Sequence, residues 1–567
     1  MKSMKLKFKN LIGIVFLSMV LGACSNEKPV VDVSGETTIF QNAIVLTLDP
    51  ENPIADTIVI TDDKIVVVGN SDDLAAQEPL YVDAKSLNVN GAVILPGFID
   101  SHVHVRELGM DKIKANLVGV KNIDDIVERL TSFYPDPEPG EWLIGQGWDE
   151  GYFASVGNPD RAKLDAAFPD NPVHLESLHG FAGFYNGAAL KIAGIDADTP
   201  NPEVGDILKR EDGEPTGVML TLAQGLVNKH VPEPSAERLQ RAIKAGLTEM
   251  AAAGVTSIHE AGMGPDDVDA FIELRAKNEL PIRVYGMLDG NDEPLMREWF
   301  ASGPLDDETD FLDIRGIKVF YDGSLGSRTA LMAEPYSDKP DAARPTERIT
   351  PKAVTSLADR AVKHGFQMAV HAIGDEGNNR TLNIYEAATD GKDIDHRWRI
   401  EHAQVVLPDF YKRMADHGTI ASMQSSHAVG DSAWAEDRVG AERIKHAYAW
   451  QRILDAGGKL MINSDLPGEP WTPMETLYFA VTRKHLEGDE AGWYADQALS
   501  VDEALHAMVT ENAYGAFQED KMGSLKAGNW ADFVVLDRNP LETPADELKD
   551  IKIFETWVAG KKVSESR

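Results

Sequence analysis

The sequence has almost no sulfur with which to cross-link itself. Cys24 is the one cysteine among 567 residues, so no disulfide can form within the chain and its core must hold by packing alone. A site built on clustered thiolates is excluded for the same reason. Basic residues are short as well: 55 Lys+Arg stand against 92 Asp+Glu, a formal charge of −37. A surface of that sign repels phosphate backbones, so nucleic acid is not an expected partner. Long apolar runs are missing too. Mean hydropathy is −0.26, and the apolar stretch at 11–23 has 13 residues, short of the roughly 20 that a membrane-spanning helix needs.

That short stretch fits a different purpose. Lys2, Lys5, Lys7 and Lys9 precede it, and it ends in Leu21-Gly22-Ala23-Cys24. A basic start, a short apolar segment and small residues before a cleavage point are the parts of a secretory signal. The ending resembles the lipobox of bacterial lipoproteins, in which the cysteine is lipidated and becomes the mature N-terminus. Residues 1–23 are therefore expected to be a signal peptide, Cys24 a lipid anchor and 24–36 a polar tether. Ser25 stands where an Asp would favour the inner membrane. The expectation is an exported lipoprotein, facing the periplasm or the cell surface and anchored at the outer membrane.

The chain is long enough for more than one domain. Short alternating apolar segments lie at 38–40, 43–47, 57–60 and 64–69, and again at 532–537, 551–558 and 560–563. Neither group has enough strands for a stable sheet. Together, 37–92 and 521–567 are expected to make one small β-sandwich from both chain ends. The middle repeats apolar strand candidates at 93–105, 255–260, 282–287, 314–320, 367–371, 397–402, 419–424 and 459–465. Amphipathic stretches such as 238–253 and 352–364 separate them. Eight such units predict an α/β fold with a (β/α)8 TIM barrel, which carries its chemistry at the C-terminal strand ends. The first strand falls within 93–109 and the rest of the barrel within 236–520. Residues 110–235 are too many for one connection, so they are expected to be an inserted lid or substrate wall.

The ionisable residues collect at those strand ends. Asp100-Ser101-His102-Val103-His104 follows an apolar run, and alternate residues of a strand share a face, so His102 and His104 point the same way. Later strands end in Lys318, His371, His402 and Asp465. One buried histidine is ordinarily a hydrogen-bonded structural group. Six candidate ligands at one end of one barrel predict a metal site instead. His259 is read as structural.

Five stretches carry a family resemblance. They are Leu95-Pro96-Gly97-Phe98-Ile99-Asp100-Ser101-His102-Val103-His104, the run from Ile317 through Asp322-Gly323-Ser324 to Ala330, Val370-His371-Ala372-Ile373-Gly374-Asp375, Arg399-Ile400-Glu401-His402-Ala403-Gln404, and Asn463-Ser464-Asp465-Leu466-Pro467. With Gly523-Ser524-Leu525 to Asp532 near the end, the chain resembles the amidohydrolase superfamily. Within it, the likeness is to the amidohydrolase-3 group of YtcJ-like and N-substituted formamide deformylase-like proteins. The resemblance implies two divalent metals, usually zinc. His102, His104 and Asp465 would hold one, His371 and His402 the other, and Lys318 would bridge them as a carbamate. It implies a shared water acidified by the metals, with Asp465 moving its proton to the leaving nitrogen.

Asp100 and Glu401 are candidates to orient ligands. Arg328, His427, His179 and Trp148 are candidates for substrate contact. The wording at 178–184 and 425–427 departs from the group, which leaves the substrate open. The expected activity is hydrolysis of a C–N bond in a small amide, formamide or N-acyl compound. A lactonase or esterase with the same site, and a ligand-binding lipoprotein without catalysis, are the alternatives. Self-association is left open.

Overall fold

Eight parallel strands run through the middle of the chain: β1 Phe98–Val103, β2 Val255–Met263, β3 Arg283–Asp289, β4 Leu312–Phe320, β5 Gln367–Ala372, β6 Arg399–His402, β7 Ile420–Gln424 and β8 Lys459–Asn463. Each pairs with the next in sequence order. The two ends of the sheet meet where Asp465 N–H donates to His102 O at 2.9 Å and His104 N–H to Leu466 O at 3.2 Å. The result is the predicted TIM barrel. This computed structural model describes residues 35–72 and 84–566, apart from 150, 151, 154, 156, 158, 178, 179, 181, 203, 343, 489 and 490. The signal-like segment, Cys24 and nearly all of the tether lie outside the described residues, as does His179. Among the described residues, no helix is long and apolar enough to cross a membrane.

Local chemistry sets the helices between strands. In Pro351–His364, Thr350 caps the start by accepting from Ala353 N–H, and Pro351 supplies a fixed φ at the first turn. Gly365 ends it in the left-handed region at φ 78°. Val354, Leu357, Ala358 and Ala361, spaced for one helical face, are buried.

The insertion leaves from helix Val105–Lys112 and returns through helix Ala236–Ala252. These two cross with almost no gap. A Cβ on Gly109 would fall 1.8 Å from Ala242 O, and one on Gly246 2.6 Å from Val105 O. Glycine at both positions lets the backbones touch, which pins the ends of the insertion together. Between them lies a separate sheet with strands in the order Ala115–Asn116, Leu143–Trp148, Val173–Ser177, Ala182–Tyr185, Pro215–Leu220 and Ile207–Lys209. It has apolar clusters of its own, around Leu130, Leu175 and Phe184 and around Tyr185, Leu190 and Met219.

Both chain ends build the remaining sheet, in the order Lys561–Glu565, Ile553–Val558, Phe533–Leu536, Val93–Pro96, Thr37–Leu46, Ile54–Thr61 and Lys64–Gly69. Phe40 and Trp557 are three strands apart in it, about 14 Å in a flat sheet. Their ring centroids are 5.1 Å apart, so the sheet curls over a core shared with Phe533. Here one expectation needs correcting. The run 93–105, read as a single barrel strand, is two. Val93–Pro96 pairs with Thr37–Leu46 and Phe533–Leu536, and Phe98 opens β1. The run is apolar throughout, so it offers no change of period to divide it. Gly97 makes the break, where a Cβ would lie 2.1 Å from the Thr256 side chain. At the N-terminal end of the barrel, Arg283 bonds Asp532 at 2.6 Å and 3.1 Å and lies 3.7 Å over the Trp530 ring.

Candidate metal centre

The barrel strands bring His102, Lys318, His371 and His402 to one buried cluster, and the turn after β8 adds Asp465. His104 was expected on the strand with His102. It lies just past β1, at the cap of helix Val105–Lys112, yet the two rings stay 5.5 Å apart. Asp465 divides its oxygens between two sets of histidines. Its Oδ1 is 3.6 Å from His102 Nε2 and 3.3 Å from His104 Nε2. Its Oδ2 is 3.9 Å from His402 Nδ1 and 3.8 Å from His427 Nε2. Two triads with metal-holding spacing result, His102–His104–Asp465 and His402–His427–Asp465. Lys318 Nζ lies 2.9 Å from His102 Nε2. The His371 ring is 4.4 Å from that of His402. His402 and Asp465 both hold left-handed backbone, at φ 75° and 56°, a strain of about 1–3 kcal/mol each that tends to gather at functional sites.

The electrostatics prepare this cluster for a cation. Burial, reinforced by the Lys318 charge, pushes the His102 imidazole down to about 4 and that of His371 to about 3. Burial also drives His402 well below its ordinary value. All three are neutral at pH 7 and keep a lone pair. Burial alone would raise the Asp465 carboxyl, but His102, His104 and His402 around it hold it well below the usual carboxylate range. Burial lowers Lys318 to about 8, so much of its amine is unprotonated at slightly alkaline pH. Among the described residues no carboxylate stands at ion-pair distance from it. His371 Nε2 lies 3.3 Å from Gly323 O, while its Nδ1 is buried with no partner among the described residues. A buried nitrogen left unbonded costs about 1–3 kcal/mol. Neutral imidazoles, an ionised carboxylate and an orphaned ring nitrogen are a donor set that fits a divalent metal.

Residues 85–564 match the sequence pattern of Amidohydro_3, the amidohydrolase family. The chain belongs to this family. An N-substituted formamide deformylase from Arthrobacter pascens is 28% identical over 92% of this chain and 96% of its own length. Protein LONG AFTER FAR-RED 3 of Arabidopsis thaliana is 32% identical over 93% of this chain and 91% of its own. The crystal structure of an uncharacterized metal-dependent hydrolase from Pyrococcus furiosus superposes with a TM-score of 0.72 at 27% identity, covering 89% of this chain and 100% of that one. This amidohydrolase is thus a hydrolase whose His/Asp groups suit a divalent metal.

The other predicted residues of this amidohydrolase fall in different places. Glu401 accepts from His102 Nδ1 at 2.6 Å and is gripped by Arg399. Burial opposes its charge, but Arg399 and His102 hold it ionised. Asp100 accepts from Ser464 N–H at 3.1 Å and Ser464 Oγ at 2.5 Å, which steadies the turn carrying Asp465. His427, expected at the mouth, is half-buried and reaches the cluster, 3.8 Å from Asp465. Helix Ser425–Gly430 follows β7 directly and lays its ring on His402, with centroids 5.9 Å apart and planes at 13°. Arg328 is held by Asp338 at 2.6 Å, a carboxylate that Arg438 also binds. Trp148 was expected as a pocket wall and is instead core of the inserted domain. It is 1% exposed, gives its indole N–H to Leu175 O at 3.1 Å and packs on Phe153 and Phe184. His259 takes a bond from Arg399 on Nδ1 at 2.8 Å. The sequence reading missed Gln424, which bonds His402 Nδ1 at 2.8 Å, and its neighbours Ser422 and Asn463. Their signal was there: polar residues two apart, Ser422 and Gln424, within an otherwise apolar strand.

Proposed function

We propose that this amidohydrolase cleaves a non-peptide C–N bond in a small amide, formamide or N-acyl compound. The observation that carries the reading is Asp465, ionised and half-buried, offering one oxygen to each set of histidines. The proposal includes two divalent metals, zinc by preference. His102, His104 and Asp465 would hold one, and His371 and His402 the other. When bound, the metals supply a Lewis acid for the substrate carbonyl and an acidified water. Asp465 would take that proton and give it to the leaving nitrogen, which would then depart as a neutral amine and not as an amide anion. Lys318 would add its neutral amine to carbon dioxide, forming an N–C bond and releasing a proton, which makes it an anionic bridge. The formamide deformylase relative supports the choice of C–N over C–O cleavage.

The test is a side-by-side panel of N-formyl amines, N-acyl amino acids and lactones, run with metal content measured per chain. Turnover of the nitrogen compounds alone, with two zinc ions bound, is the expected result. Turnover of lactones alone would reassign the bond. Labelled bicarbonate should place one carbamate carbon on Lys318. For residues 1–24, the proposal is export and lipidation at Cys24 with anchoring at the outer membrane. Mass analysis of the mature N-terminus checks it: an unmodified cysteine there would exclude the anchor.

A further inference from the structure

Between the two sets of histidines runs a closed chain of buried polar groups. It crosses β6, β7 and β8 sideways, because register sets Glu401 beside Ser422 and Gln424 beside Asn463. Ser422 Oγ meets Glu401 Oε2 at 2.7 Å, Asn463 Nδ2 meets Ser422 Oγ at 2.9 Å, and Gln424 Nε2 meets Asn463 Oδ1 at 2.7 Å. The ends are imidazoles. His102 Nδ1 is 2.6 Å from Glu401 Oε2, and His402 Nδ1 is 2.8 Å from Gln424 Oε1. None of the six residues is more than 5% exposed.

The direction of every bond in this chain follows from one group. Arg399 occupies the other oxygen of Glu401 and holds it as a carboxylate, which can only accept. Ser422 has one hydroxyl proton and must give it to Glu401. Its oxygen then accepts from Asn463, so the Asn463 NH2 faces Ser422 and its carbonyl faces Gln424. Gln424 must donate there with its NH2, and its carbonyl is left for His402. His402 can satisfy a carbonyl only by donating from Nδ1. At the other end His102 donates from Nδ1 to Glu401. Ser101 agrees: it gives its proton to Asn512 Oδ1 at 2.9 Å and accepts the second Asn463 N–H at 3.2 Å.

We propose that Ser422, Asn463 and Gln424 are positioning residues, which lock His102 and His402 in the Nδ1–H tautomer, so that the His402 Nδ1 lying 3.9 Å from Asp465 Oδ2 carries a proton and Nε2 is left as the ring nitrogen with a lone pair for metal. Neither ring can exchange its proton between nitrogens without breaking the chain, so the two sets of ligands share one constraint. The proposal rests on the reading that these histidines hold metal, and not on which bond is cut.

The test uses the full chain labelled with [15N]histidine, first metal-free and then titrated with zinc against a competing chelator. In the unsubstituted protein the His402 signal, assigned by its loss in His402→Asn, should report a proton on Nδ1. Gln424→Met keeps the volume and removes the acceptor. It should release the tautomer and weaken zinc binding about 10–100-fold. Ser422→Ala touches no imidazole and should weaken zinc about 10-fold, with Ser422→Thr restoring it. A proton on His402 Nε2 in the unsubstituted protein would overturn the proposal without any variant. So would a Ser422→Ala chain that folds and binds zinc as tightly as the original. Neither readout depends on turnover, so a wrong substrate class leaves this test intact.

Discussion

Two buried arginine–carboxylate pairs sit at different depths of the barrel and serve different ends. Arg283–Asp532 joins the N-terminal end of β3 to the terminal sheet, with both side chains 2% exposed. Arg399–Glu401 lies inside the barrel beneath His102, with both side chains fully buried. At the junction every acceptor site is spent on holding the domains. Asp532 gives one oxygen to Arg283 Nε and the other to Arg283 NH2 and Ala559 N–H, and the guanidinium also reaches Asp310 O at 2.7 Å. Inside the barrel, one Glu401 oxygen faces Arg399 and the second is turned to His102 and Ser422. A buried ion pair by itself contributes little net stability, because desolvation offsets attraction. What separates the structural pair from the functional one is where the spare oxygen points.

Within the site that the inner pair supports, removing the carboxylate that faces both sets of histidines should have the largest effect. Asp465→Asn keeps the shape and loses the proton carrier, so kcat/KM should fall by about 10²–10⁴-fold with the fold retained by circular dichroism. An unchanged rate would take Asp465 out of the chemistry. Next come the pairs themselves. Arg283→Met and Arg399→Met each strand a buried carboxylate, at a cost of about 3–5 kcal/mol in denaturant unfolding. Only Arg399→Met should also lower zinc affinity, by about 10–100-fold, since it frees Glu401 from its hold. Equal zinc loss in both variants would erase the distinction between the pairs.

These pairs also mark what could be read from the sequence. The barrel was legible because its strands end in ionisable residues after short apolar runs. Lys318, His371 and His402 fell where that pattern put them. The strand break at Gly97 was not legible, since residues on both sides are equally apolar and the cause is a contact with Thr256, far along the chain. Trp148 misled for a related reason. Gly147-Trp148-Asp149 looks like a loop tip, and only the tertiary fold reveals Leu175 O as the partner of its indole. His427 is three residues past the end of β7, and its reach depended on a helix starting at Ser425 with no loop before it. Ser422, Gln424 and Asn463 carry no charge, so they stood out less than the histidines they serve.

Smaller effects sharpen the contrast between the site and its supports. Trp148→Phe removes one buried hydrogen bond and part of a packed indole. It should cost about 1.5–3 kcal/mol in unfolding and leave KM unchanged. A raised KM would return Trp148 to the substrate.

The smallest effect belongs to the outer edge of the domain junction. Lys521 pairs with Asp310 at 2.8 Å and lies 5.3 Å over the same Trp530 ring that Arg283 covers. It has the same kind of partners as Arg283 and differs in exposure, 42% against 2% for the side chains. Water already solvates its ammonium, so losing the pair strands no buried charge. Lys521→Ala should therefore cost about 0.2–1 kcal/mol, and added salt should shrink that difference further. For Arg283→Met the cost should persist in salt, because screening does not reach a charge enclosed by Trp530, Phe311 and Asp532. Denaturant unfolding of both variants at low and high ionic strength makes the comparison, and a salt-sensitive Arg283 would mean that the junction opens to solvent.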